Sequence, residues 1–129
     1  DTLDIMGWNV DDSGLGVIFD RSIPDFALKH MNRVTTAALE NSGLKIGDID
    51  RLICHPGGAK VVVALEEAMG LRPASLDIER DILRTFGNMS APTVLFVLEQ
   101  ALQQGVTGQL MMTALGPGFT ASFLPVRAI

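Results

Sequence analysis

The stretch RLICHPGGAKVVVALEEAMG, residues 51–70, sets the architecture of this chain. Arg51–Cys54 is a short apolar run of strand type, too brief for a helix. Pro56 biases His55 toward an extended backbone, so the imidazole stands at a strand end. Gly57 and Gly58 carry no side chain to obstruct a ligand. They also leave backbone N–H groups open at the start of the next helix, a position that favours anions and carbonyl oxygens. That helix is predicted from Ala59 to Met69, apolar around much of its circumference and stopped by Gly70. A strand that feeds a helix through a polar turn is a building unit of layered α/β folds, and such turns are where those folds bind ligands.

Working outward, residues 5–10 and 15–20 read as short strands joined by the hairpin turn Asp11-Asp12-Ser13-Gly14. Residues 24–42 read as a helix with Pro24 in its first turn and Gly43 past its end. Phe26, Met31, Val34, Ala38 and Leu39 are expected on its buried side. Residues 76–85 read as a short helix. Ser90 is expected to cap the next helix, with Pro92 in its first turn and an end near Gln103. Val94, Leu95, Phe96, Val97, Leu98, Ala101 and Leu102 cover most of that helix's surface, the pattern of a helix in the middle of a structure. Residues 109–115 and 119–126 form a closing hairpin around Gly116-Pro117-Gly118. The order β-β-α-β-α-α-α-β-β is a layered α/β pattern with antiparallel strands at its ends. No repeat, low-complexity segment or linker interrupts it.

A chain of 129 residues is one domain by length. At that size about 68% of the unfolded surface can be buried. The apolar fraction is 47% and only 19% of residues are charged, so some apolar surface is expected to meet another domain or subunit. The net charge of −5 argues against nucleic acid, which selects basic surfaces. No apolar run is long enough for a membrane span, and no signal peptide is visible. A single cysteine cannot form an internal disulfide, which fits a cytoplasmic protein. Beginning at Asp1 rather than methionine, the chain reads as a fragment, a processed chain or an isolated domain.

Two polar motifs carry the chemistry: HPGG at residues 55–58 and GNMS at residues 87–90. Each offers one hydrogen-bond donor, the His55 imidazole or the Asn88 carboxamide. Two such donors converging on one carbonyl oxygen make an oxyanion hole. Each also has a plain structural reading. His55 could be a satisfied histidine in a tight turn, and Asn88 a helix cap or Asx-turn residue. Cys54 is the one thiol, but adjacent strand residues point to opposite faces, so it should diverge from His55 as a small buried side chain. His30 reads as a surface or partly buried helix residue. Asp48, Asp50, Glu66, Glu67, Asp77 and Glu79 show no metal-ligand spacing and read as solvated charges. Gly116-Pro117-Gly118 reads as a turn. No nucleophile accompanies the two donors, which is the pattern of half an active site.

Taken together, residues 55–58 (HPGG), 84–90 (RTFGNMS) and 116–120 (GPGFT) resemble the C-terminal half of type III polyketide synthases, the chalcone and stilbene synthase family. The resemblance extends to the MGW opening, the Arg21–Pro24 segment and the Val94–Leu102 helix. It is nearer to bacterial or fungal alkylpyrone and alkylresorcinol synthases than to plant chalcone synthases. It implies one half of a thiolase-like α/β fold, with a mixed five-stranded sheet and helices on both faces. It also implies a homodimeric acyltransferase with no tightly bound cofactor or metal. Its substrates would be CoA thioesters, malonyl-CoA and an acyl-CoA starter.

The family's catalytic histidine and asparagine map to His55 and Asn88. Its nucleophilic cysteine belongs to an N-terminal half absent from this chain, and Cys54 is not that residue. By this resemblance His55 helps keep the cysteine ionised as a thiolate–imidazolium pair. His55 and Asn88 then hold the malonyl thioester carbonyl and stabilise the enolate left by loss of carbon dioxide. Gly57, Gly58 and Lys60 are candidates for contact with CoA. Val17, Ser90, Leu115, Gly116, Pro117 and Gly118 are candidates for the substrate pocket. Val17 and Leu115 stand where plant members carry phenylalanine, which favours a fatty acyl starter. Two other readings remain: a ketoacyl-carrier-protein synthase III-like domain, whose histidine motif lacks Pro-Gly-Gly, and a non-catalytic CoA-binding or dimerisation module.

Overall fold

The computed structural model describes residues 2–129. Five strands and four helices follow in the expected order: β1 (Met6–Asp11), β2 (Gly14–Phe19), α1 (Ile23–Asn41), β3 (Arg51–Cys54), α2 (Ala59–Ala68), α3 (Asp77–Phe86), α4 (Thr93–Gln103), β4 (Gly108–Gly116) and β5 (Thr120–Ala128). Short 3-10 turns lie at Ile46–Asp48 and Pro117–Phe119.

The expected five strands do not share one sheet among the described residues. β3 pairs parallel with β4, and β4 pairs antiparallel with β5, giving a mixed three-stranded sheet in the order β3-β4-β5. β1 and β2 pair only with each other. Their turn is drawn tight by Asp11, whose Oδ1 accepts the Ser13 N–H at 2.8 Å. Trp8, Val10, Leu15 and Val17 on this ribbon are all at least half exposed. The ribbon therefore stands apart because no other strand lies within hydrogen-bonding reach of either edge.

Alternation along the strands divides the core in two. Leu52 and Cys54 on β3 and Met111 on β4 pack with α1 and α2 residues, including Ala27, Met31, Val62 and Leu65. Ile53 on β3, with Leu110 and Met112 on β4, packs with Ile78, Ile82, Val97 and Ala101 of α3 and α4. Helices thus cover both faces of the mixed sheet, as the α/β reading requires.

Details of two helices differ from expectation. The buried stripe of α1 is Ile23, Ala27, Met31, Thr35 and Leu39, one residue per turn. Met31 and Leu39 are buried as expected, whereas Ile23, Ala27 and Thr35 take the places expected for Phe26, Val34 and Ala38. Helix α4 does not lie in the middle of this structure. Thr93, Val97 and Ala101 are buried, while Leu95 and Leu102 are 58% and 47% exposed. One side of α4 meets the sheet and α3, and nothing among the described residues covers the other.

Glycine is required where β4 begins. Gly108 has φ of +101°, and a Cβ there would lie 2.1 Å from the Asp50 carboxylate. That carboxylate accepts the Gln109 N–H at 2.7 Å and so anchors β4 just ahead of β3.

Candidate active site

The HPGG turn leaves the C-terminal end of β3 and enters α2, and the GNMS loop joins α3 to α4. The His55 N–H donates to the Thr113 carbonyl on β4 at 2.8 Å, extending the ladder one residue beyond β3. Pro56 is buried, and the Gly57 N–H donates back to the His55 carbonyl at 3.0 Å. At Gly57 an added Cβ would lie 3.9 Å from His55 Nε2, and at Gly58 it would meet nothing within 4 Å. Gly57 therefore leaves the space beside the imidazole open, and a side chain at Gly58 would not reach the ring. Gly58 is the residue before α2, and its carbonyl accepts the Val62 N–H at 3.0 Å. Lys60 lies exposed in the first turn of that helix.

Asn88 is placed against this turn although 31 positions separate it from Gly57 in sequence. Its Nδ2 donates to the Gly57 carbonyl at 3.1 Å, and its Oδ1 accepts the Ser90 N–H at 2.9 Å. The second contact is the Asx turn that its local sequence allows. Together they fix which end of the amide is which: the oxygen is occupied, and one N–H remains free to donate. The expected cap does not form. Ser90 has φ of +63°, and Thr93 supplies the local bonds instead. The Thr93 hydroxyl accepts the Met89 N–H at 2.9 Å and donates to the Ser90 carbonyl at 2.7 Å.

His55 is half-buried, and its Nδ1 is buried without a partner. Such orphaned nitrogens are exceptions in folded proteins. Burial pushes the imidazole below its ordinary value of 6.5 and favours the neutral ring. An unfolded chain then takes up the proton first, so this contribution to stability is full above pH 6.5 and is lost as pH falls toward the lowered value. Urea denaturation should show the wild type losing more stability than His55→Gln between about pH 7 and pH 5. Parallel stability curves for the two proteins would remove burial as the cause.

Cys54 is buried beneath the α1–α2 layer, and burial holds its thiol well above the ordinary range. A neutral, inaccessible thiol is a poor nucleophile. The His30 ring lies 4.3 Å from that of Phe26 on the same helix. Val17 is 50% exposed on the ribbon. Leu115 packs, half-buried, against the α1–α2 core. Gly118, with φ of +67°, closes the turn between β4 and β5, and its carbonyl accepts the Thr2 hydroxyl at 2.6 Å. No cluster of three or more His, Cys, Asp or Glu suited to a metal occurs among the described residues.

Two acidic residues read from sequence as solvated are in fact buried. Glu66 is 4% exposed and Glu79 is 0% exposed. Glu66 pairs with Arg80 and accepts the Ala74 and Leu76 N–H groups. Glu79 accepts the Cys54 N–H at 3.0 Å and pairs with Arg51 at 3.1 Å. The sequence did hold a signal for Glu79: it sits on the face of α3 that also buries Ile78 and Ile82.

Comparison with known proteins gives the family and the fold. The family model described as "Chalcone and stilbene synthases, C-terminal domain" matches residues 2–129. A 1,3,6,8-tetrahydroxynaphthalene synthase of Streptomyces peucetius subsp. caesius is 38% identical over 132 residues, covering 98% of this chain and 34% of that protein. The structure of CsyB complexed with CoA-SH superposes with a TM-score of 0.86 at 26% identity, over 99% of this chain and 37% of that one. A 1,3,6,8-tetrahydroxynaphthalene synthase of Streptomyces coelicolor A3(2), described as a bacterial type III polyketide synthase, shares the fold with a TM-score of 0.88 at 21% identity, over 99% and 37% of the two chains. The chain spans about a third of the length of curated relatives that it matches. No helix of the described residues is long and apolar enough to cross a membrane. With HPGG and GNMS joined through one hydrogen bond, on a thiolase-like α/β half, the chain belongs to the chalcone and stilbene synthase family as its C-terminal domain.

Proposed function

We propose that this chain supplies the decarboxylating half of a type III polyketide synthase site, with His55 and Asn88 as its paired donors. The observation that carries the reading is the Asn88 Nδ2 bond to the Gly57 carbonyl at 3.1 Å, which holds the carboxamide at the turn that begins with His55. Asn88 keeps one N–H free, and Gly57 leaves the space beside His55 Nε2 open. A thioester carbonyl placed there would accept from both side chains. Loss of carbon dioxide from malonyl-CoA moves the carbon–carbon bond electrons onto that carbonyl and generates an enolate. Donors already in place stabilise the oxyanion without reorganising.

The acyl-carrying cysteine lies in an N-terminal half outside this chain, because Cys54 is buried and neutral. The enolate attacks the acyl-cysteine thioester, extending the chain by two carbons and releasing the thiolate. That thiolate would favour the charged imidazolium at His55, opposing the effect of burial. Gly57, Gly58 and Lys60 contact the CoA arm. Val17, Ser90, Leu115 and the Gly116-Pro117-Gly118 turn shape the pocket, with room for a fatty acyl starter. The bare faces of α4 and of the β1–β2 ribbon are where the rest of a cytoplasmic homodimer packs. CoA thioesters serve as substrates, and no cofactor is tightly held.

Mass spectrometry of products from the full-length protein tests this. Offered malonyl-CoA and a panel of acyl-CoA starters, it should yield pyrone or resorcinol products extended in two-carbon steps, with fatty acyl starters preferred. Transfer to a carrier-protein substrate alone, or no malonyl-CoA consumption with any starter, would overturn the reading. The present chain without its N-terminal half should form no product.

A further inference from the structure

Among the described residues β3 is the outer strand of its sheet, with β4 along one edge only. In a parallel pair, successive N–H groups point to alternate edges. The His55 N–H points inward, to Thr113. The Cys54 N–H points to the open edge, and there Glu79 Oε1 accepts it at 3.0 Å. The other carboxylate oxygen accepts from Arg51 Nη2 at 3.1 Å, and the same nitrogen reaches Asp77 Oδ1 at 3.2 Å. One carboxylate from α3 therefore grips β3 twice, at its first side chain and at its last peptide.

Glu79 is 0% exposed and sits beside Ile78 in the second core. Burial raises its pKa, and the Cys54 N–H and Arg51 pull the other way. A buried ion pair is seldom the most stable way to fill a core, since apolar side chains of similar volume often serve as well. Its geometry here is directional: it fixes the Ile53–Cys54 peptide from the open edge, while Thr113 on β4 holds the next peptide through the His55 N–H. The constraint reaches the imidazole through Cys54 and the peptide that follows it, and the orphaned Nδ1 gives the ring no anchoring bond of its own there.

We infer that Glu79, held by Arg51, is a positioning residue that sets the orientation of the His55 imidazole by clamping the open edge of β3. This deepens the proposed function and rests on His55 acting there.

The test uses the full-length enzyme with Glu79→Ala, Glu79→Asp and Glu79→Gln. Aspartate is one methylene short of the Cys54 N–H. Glutamine keeps a carbonyl oxygen for that N–H. Glu79→Ala should lower kcat for malonyl-CoA decarboxylation by about 10- to 100-fold, with KM changed less than about threefold. Glu79→Gln should recover most of the loss. Ring-13C histidine NMR supplies a second readout. The His55 signal, assigned by its disappearance in His55→Gln, should move in Glu79→Ala and return toward wild type in Glu79→Gln. Should Glu79→Ala fail to fold, Glu79→Asp reads the same two quantities. If folded Glu79→Ala, or Glu79→Asp in its place, keeps either the wild-type signal or the wild-type kcat while His55→Ala is inactive, the inference falls. If His55→Ala itself decarboxylates normally, the catalytic reading of His55 fails instead, and the NMR signal alone decides the role of Glu79.

Discussion

Replacing His55 or Asn88 by alanine in the full-length enzyme should lower malonyl-CoA decarboxylation by about 10²- to 10³-fold each. That is the usual consequence of removing one preorganised oxyanion donor, about 3–4 kcal/mol of transition-state stabilisation. The double variant should lose less than the product of the two, because groups acting on one oxygen act as a unit. Asn88→Asp should be at least as damaging as Asn88→Ala. In wild type the nitrogen end of the amide faces the Gly57 carbonyl at 3.1 Å. An aspartate would set two oxygens against each other and leave no N–H to donate. Decarboxylation assays on folded variants, checked by circular dichroism, measure this. A rate within a few-fold of wild type in His55→Ala or Asn88→Ala would end the oxyanion-hole assignment.

Glu66→Gln should cost about 3 kcal/mol of folding stability at neutral pH. The Glu66 side chain is 5% exposed and meets the Arg80 guanidinium at 2.5 Å and 2.8 Å. It also accepts the Leu76 N–H at 2.8 Å and the Ala74 N–H at 3.1 Å. The Arg80 hydrogen bonds outweigh burial and hold the carboxyl at about 2, against an ordinary 4.5. Linkage turns that difference into about 3 kcal/mol at pH 7. The folded value is the lower one, so the stabilisation is present above pH 4.5 and is lost as pH falls toward 2. The gap between wild type and Glu66→Gln should therefore narrow steadily below about pH 4.5 in urea titrations. A gap that stays constant down to about pH 2.5 would assign the loss to packing rather than charge. The same pair ties α2 to the 70–76 loop and the start of α3, the helix that presents both Glu79 and, past its end, Asn88.

The parts of the fold set by local chemistry were legible in the sequence. Pro24 and Gly43 bracket α1 within a residue of their expected positions. Arg51–Cys54 forms the expected strand, and the Pro-Gly turns interrupt the chain where expected. These signals act over one to four residues, through φ restriction, missing donors and side-chain period. The Ser90 cap failed at this level because Ser90 turns to a φ of +63° and its carbonyl, not its hydroxyl, accepts the Thr93 N–H. The solvated reading of Glu66 and Glu79 failed for a different reason. Their partners, Arg80 and Arg51, lie 14 and 28 positions away, and a carboxylate can be buried only once such partners surround it.

From the sequence alone come the element order, the layered α/β class, the family resemblance, and His55 and Asn88 as candidates. Turn chemistry and periodicity are written residue by residue, and so they can be read that way. Only the tertiary structure decided that the ribbon stands apart from the mixed sheet and that one face of α4 is bare. It alone brought Asn88 to the Gly57 carbonyl, 31 positions distant in sequence. Those outcomes depend on which distant surfaces exclude water from one another, and pairings at that range leave no periodic trace along the chain.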